Sequence, residues 1–334
     1  MRSPVVGTLV VLLVGWTVLA AQEEVDRPPI DVTTAQQVEQ LLVLPHNFPA
    51  ALAFSPDGNT LTAIDGALVL RDWDTATGEM LRELELVSVS AGSRRCAISP
   101  DGQLVAASLP NHEVGVWRTS DGERLATFSG DDYVMGVQFS PDSALLAIGW
   151  FDGDVELWNV DESEISHAWR AHPSAVHALA FSPDMSTFVT GSINATWTIR
   201  VWNMGTWEQL YERTDHQEDV YRILFVENGA QFVSASGDRT AMLWDTASGT
   251  RLRTYGGHYD IVNDVAVSPN GDILATAASD NLIRLWDFAS GDLLATLRGH
   301  TSYAMPVVFS PRGDQLASAG ALSSRGEVIL WGVP

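Results

Sequence analysis

His216, Ser236 and Asp238 are the residue types of a hydrolase, and Trp244 follows them closely. A serine beside a histidine that a carboxylate orients is the standard set for attack on a carbonyl carbon. The same spacing returns as His258, Asp280 and Trp286, but Ala278 then stands where the serine was. A nucleophile is not an optional member of a repeated set, so the group reads as structural. Five of the eight histidines (His46, His172, His216, His258 and His300) fall at the same place in successive repeats, leaving His112, His167 and His177. None has metal-ligand spacing: there is no HExxH and no pair of cysteines. The acidic stretches at 152–154 and 161–164 do not fit the twelve-residue calcium loop and read as solvated surface. No phosphate-cradling glycine loop or nucleophile elbow is present. Asn194-Ala195-Thr196 has the form of a glycosylation sequon.

The elements that hold these residues are repeated. A turn motif occurs seven times, about every 42 residues: FSPDG at 54–58, ISPDG at 98–102, FSPDS at 139–143, FSPDM at 181–185, FVENG at 225–229, VSPNG at 267–271 and FSPRG at 309–313. Each copy is followed by a tryptophan: Trp73, Trp117, Trp158, Trp202, Trp244, Trp286 and Trp331. In each unit a β-rich run enters the turn, where proline fixes φ and Asp or Gly suits the bend. A second strand follows, then a third ending in Leu/Val-Trp. A fourth leads to Gly-His at Gly257-His258 and Gly299-His300. Four short strands in roughly 40–45 residues, repeated, describe the blades of a propeller.

These motifs resemble the WD-repeat β-propeller family over roughly residues 38–331. Trp73-Asp74, Trp244-Asp245 and Trp286-Asp287 keep the terminal Trp-Asp pair. The resemblance implies an all-β ring of seven four-stranded antiparallel blades. It also gives His216, Ser236, Asp238 and Trp244 the part of a structural tetrad, in which the aspartate holds the histidine and the serine links it to the indole. Fourth strands lie between consecutive units, but the seventh unit has none after Trp331. Residues 38–46 match the pattern of 293–300, so 38–44 should pair with 327–331 and close the ring, covering open sheet edges. Trp150, Trp169 and Trp207 are expected to pack within blades. The tetrad aspartate is missing from the seventh repeat.

Composition narrows the partners. The formal charge is −23, and all 19 cations are arginine. Phosphate binding needs clustered cations, so nucleic acid is excluded as a partner, and so is an anionic membrane face. Residues 1–20 read as a signal peptide or, if uncleaved, an N-terminal anchor, with the apolar run at 5–21 as the one membrane-seeking segment. Residues 21–35 read as an acidic linker and 36–334 as the ring. The expected protein is an exported, bacterial-type member of the family, in the periplasm, cell envelope or outside the cell. Cys96 is the one cysteine, which excludes an intrachain disulfide; it is expected to be a buried, inert thiol in an innermost strand.

The resemblance places the start of each innermost strand at the mouth of a central channel. The residues there are Ala50, Arg94, Met135, His177, Tyr221, Asn263 and Met305, with Arg95, Arg222 and Asp264 next to them. Arg, Tyr and Met are enriched at interfaces, and the arginines could meet an acidic partner. Insertions in a repeat array often mark its binding face, which adds Trp197 on the extended loop at 192–198. The expectation is a monomeric, non-enzymatic protein-interaction scaffold without cofactor or metal. The alternative is ligand binding or catalysis at the channel mouth, where His177 and Asp264 are the one acid–base pair.

Overall fold

The computed structural model describes residues 27–47, 49–87, 95–194, 196–320 and 326–334. They form seven four-stranded antiparallel sheets arranged as a propeller. Blade one comprises Pro49–Phe54, Thr60–Asp65, Val69–Asp74 and Met80–Glu85, and the next five blades follow the same order. Blade seven takes Ala304–Phe309, Gln315–Gly320 and Gly326–Gly332 from one end of the chain and Glu39–His46 from the other. The pairing runs from Glu39↔Gly332 through Leu44↔Val328 to His46↔Gly326, with one register shift between Gln40 and Leu42. The ring therefore closes by the strand exchange that the repeat pattern demanded.

The turns show why the motif recurs. In the second repeat the Ser99 hydroxyl donates to Asp101 (2.5 Å) and accepts from the Leu104 amide (2.8 Å). Gly102 takes φ of 72°, and its amide closes the turn onto the Ser99 carbonyl. Ser143 and Met185 adopt the same left-handed φ, at 62° and 59°, without glycine's freedom. A side chain pays about 1–2 kcal/mol there, so the hydrogen-bonded frame imposes the conformation.

The core lies between blades, not inside them. Leu44, Leu61, Ala63 and Trp73 share one buried cluster with Ala317, Ala319, Val328 and Leu330, which joins blade one to blade seven. Phe232 and Trp244 of blade five pack with Val189 and Val201 of blade four. The tryptophans expected to pack within blades do the same. Trp150 shares a cluster with Val114, Val116 and Phe128 of blade two. Trp169, on the outer strand of blade three, meets Trp202 of blade four edge-on at 5.6 Å. Trp207 stacks at 4.1 Å on His167 of the same outer strand. A lone four-stranded sheet has no inside for so large a ring, and the gap between sheets is where it loses water. Ahead of the ring, Ile30 and Ala35 are buried in the cluster that holds Leu297 and Trp331, and the Ile30 amide donates to the Gly313 carbonyl (2.8 Å).

Leu44 is 1% exposed at the closure. Leu44→Ala should cost about 2–5 kcal/mol, as for other buried leucines. Deletion of residues 31–46 should cost more than that; an unchanged midpoint in thermal unfolding of the deletion would contradict this closure.

Candidate functional site

Strand alternation decides which hydroxyl meets which histidine. In blade five His216 Nδ1 donates to Asp238 Oδ2 (2.7 Å), and Nε2 lies 2.7 Å from Ser234 Oγ. The Trp244 indole N–H donates to the same Ser234 oxygen (2.8 Å). Ser234 therefore bridges the imidazole and the indole, and every polar group of the set has a partner. This corrects the assignment of Ser236 to the tetrad. Both serines point to the same side of the strand, but Ser236 is one pleat nearer its end, opposite Val220. Its hydroxyl donates to the Glu218 carbonyl and accepts from the Asp238 amide. In blade six the matching hydroxyl is Thr276, not Ala278. His258 Nε2 lies 2.7 Å from it, and Trp286 donates to it at 2.9 Å.

Two blades reach the same end with other residues. In blade seven Glu327 of the third strand faces His300 Nδ1 at 3.2 Å, replacing the missing aspartate, while Ser318 links His300 to Trp331. In blade four the extended loop delivers Thr198 Oγ1 to His172 Nδ1 at 2.9 Å, and Thr190 bridges to Trp202. Trp197 sits half-buried on that loop with φ of 49° and does not line the channel. Blade one breaks the pattern. Ala63 occupies the hydroxyl position, and neither His46 ring nitrogen nor the Trp73 indole N–H has a well-aligned hydrogen bond.

These sites are closed to substrate: the five histidines are 0–8% exposed. Burial, helped by the Arg200 charge, holds His172 down to about 3. Burial also lowers His258 and His300 against the pull of Asp280 and Glu327. Burial works against ionisation of Asp238, yet the bond and charge of His216 hold it at about 2.

The other candidates converge. The starts of the innermost strands surround a cavity of about 270 Å³ with residues from all seven blades. Arg95, Met135, His177, Tyr221, Arg222, Asn263, Asp264 and Met305 all line it. Arg94 lies outside the described residues. Cys96, expected to be buried, is half-buried in the wall because its strand faces the channel.

His177 Nδ1 is 3.0 Å from the Tyr221 carbonyl, so it must donate, leaving Nε2 as the acceptor. Burial and then the nearby Arg95 and Arg222 charges hold His177 well below the usual histidine range. Asp264 pairs with Arg222 Nε at 3.2 Å and accepts from the Val265 and Val307 amides. Burial raises the Asp264 carboxyl, with Arg222 opposing. The His177–Asp264 acid–base pair is thus not formed, since each member is committed elsewhere.

Motif reasoning passed over three exposed residues that lead into innermost strands. Tyr133, Tyr259 and Tyr303 are 65%, 79% and 43% exposed. Each lies just ahead of an innermost strand, before Val134–Phe139, Val262–Val267 and Ala304–Phe309 respectively. A signal existed: an aromatic residue one to three places before the β-rich run.

Residues 207–245 and 249–287 match the WD domain, G-beta repeat, model. The chain carries WD repeats. Residues 96–184 of the propeller also match the anaphase-promoting complex subunit 4 WD40 domain. Transducin beta-like protein 3 of Bos taurus is 30% identical over 177 residues, which is 52% of this chain and 22% of that protein. Eukaryotic translation initiation factor 3 subunit I of Aspergillus terreus is 41% identical over 87 residues, 26% of each chain. WD repeat-containing protein SL1-17 of Schistosoma mansoni is 27% identical over 192 residues, covering 56% of this chain and 61% of that one. The chain thus matches about a fifth of transducin beta-like protein 3. These relatives are eukaryotic and lend no support to a bacterial-type affiliation. Within the WD repeats the aspartate after the tryptophan caps the turn to the outer strand: Asp245 Oδ1 accepts from the Ser248 amide (2.8 Å).

Ala63→Ser should place a hydroxyl between His46 and Trp73 and stabilise the WD propeller by about 1–2 kcal/mol, read as a raised unfolding midpoint. His172 gives a pH signature. Its ring protonates near 6.5 when unfolded and at about 3 when folded. The unfolded chain then holds the extra proton, so stability falls as pH drops from about 6.5 to 3, by up to about 1.4 kcal/mol per pH unit. His172→Gln should make the decline of the midpoint with acid shallower across that window; an unchanged slope would refute it.

Proposed function

We propose that this WD propeller is a non-enzymatic docking platform that receives a protein partner at the mouth of its central channel. One observation carries the reading: exposed Tyr133, Tyr259 and Tyr303 stand on the loops that enter the innermost strands, and the innermost strands of all seven blades line one cavity. Tyrosine supplies large, amphipathic contact area at low entropic cost and is a common interface anchor. The buried histidine–hydroxyl sets read as supports that hold the blades. A charge of −23 disfavours nucleic acid as the partner. We further infer that the apolar run at 5–21 exports or anchors the protein, so that the ring, as a monomer, works in the cell envelope or beyond it; the sequence pattern of that run supports this. A small ligand in the channel is the second reading, favoured by a cavity volume near the lower end of ligand pockets.

Affinity capture from envelope and secreted fractions tests the first reading. The wild type should retain a stoichiometric protein that the Tyr133→Ala, Tyr303→Ala variant loses by tenfold or more (about 1.4 kcal/mol or above). Both side chains are exposed, so the variant should unfold at the wild-type temperature. Equal capture by the two would remove this face.

A further inference from the structure

We propose that the channel cavity binds a carboxylate carried on a short aliphatic arm. The inference rests on the reading of this mouth as the docking face, and names the chemical group that enters it.

Charge is the first argument. The described lining holds two cations, Arg95 and Arg222, and one acid, Asp264. In a chain of formal charge −23, this wall carries a formal excess of one positive charge. Asp264 is moreover consumed within the wall, by Arg222 and by the Val265 and Val307 amides. Burial first, and then the charges of Arg95 and Arg222, oppose protonation of His177. Two guanidinium groups on one wall attract an anion.

Donor geometry is the second. Arg222 Nε is shielded from solvent and faces Asp264 Oδ1 at 3.2 Å, so it is spent within the wall and a ligand would meet the outer N–H groups of the guanidinium. A guanidinium presents five N–H groups in a fork suited to carboxylate oxygens. Arg222 keeps one of these for Gln138 Oε1 at 3.2 Å, a bond from blade five to blade three that passes over blade four. Arg222 and Gln138 also line a separate hollow with Pro100, Pro141 and Pro183, beyond the first cavity. Their bond therefore lies between the two hollows.

Shape is the third. Ala50, Cys96, Met135 and Met305 give the cavity apolar walls between its charged groups. About 270 Å³ admits a group the size of one side chain. An aliphatic arm against the methionines, with its carboxylate on the arginines, satisfies both kinds of wall. The arm could be a glutamate of a partner protein or a free short-chain acid.

Full-length protein titrated with sodium glutarate tests this, followed through the histidine ring resonances by NMR, with His177→Gln giving the assignment. Glutaramide and sodium chloride at matched ionic strength are the controls, and acetyl-Gly-Glu-Gly-amide is the peptide arm. Glutarate should shift the His177 resonances saturably and glutaramide should not. Arg95→Gln should weaken the response about tenfold or more. Tighter binding of the glutamyl peptide would assign the arm to a partner, and tighter binding of glutarate to a free acid. No saturable response to either acid, an equal response to glutaramide, or an unchanged response in Arg95→Gln would overturn the proposal. Such a failure leaves the tyrosine capture result standing, whereas loss of capture with intact glutarate binding would separate the two sites.

Discussion

A four-stranded sheet with two apolar faces is unstable until both faces are covered. In this chain each sheet is covered by its neighbours, so no blade is complete until the ring is. The pairing of Glu39–His46 with Gly326–Gly332 is the contact that makes the ring finite. It gives blade seven its outer strand and seals Leu44, Val328 and Trp73 into one cluster. Everything else, including the shape of the channel, presupposes that closure.

Within this frame the histidine–hydroxyl–tryptophan relay fixes how the junction meets the blade in blades four to seven. It is conserved as chemistry between blades four to seven, though not as residue identity. Ser234, Thr276, Ser318 and Thr190 all bridge histidine to indole. The orienting group is Asp238 or Asp280 in two blades, Glu327 in another and Thr198 in the fourth. What is held constant is a partner for each ring nitrogen, because an unsatisfied buried donor or acceptor costs about 1–3 kcal/mol. Blade one carries that cost at His46 and Trp73, beside the closing strand.

The mouth of the channel follows the opposite logic. Its residues differ from blade to blade because no repeated contact dictates them. Arg95, His177, Tyr221 and Asn263 sit at equivalent or adjacent strand positions and share no chemistry. Structural positions repeat and surface positions diverge, which is how a ring of similar blades acquires one distinct face. The excess of arginine over acid in the wall stands out only because the rest of the chain is so acidic.

By itself the sequence determined the blade count, the strand order, the Ser-Pro-Asp-Gly turns and the exchanged closing strand. These follow from local chemistry and from a period, both of which are linear properties of a chain. It also gathered the channel residues, since the start of an innermost strand is a position within a repeat. The relay serine was misplaced by two residues, because Ser234 and Ser236 share a face and only the packing of Trp244 against blade four chooses between them. Glu327 and Thr198 were invisible as substitutes for aspartate, since they approach His300 and His172 from a third strand and an extended loop. The commitment of Asp264 to Arg222, and of Arg222 to Gln138 across the channel, was likewise beyond reach. Partners brought together around the axis of a ring are set by its diameter and closure, and no spacing along the chain encodes that distance.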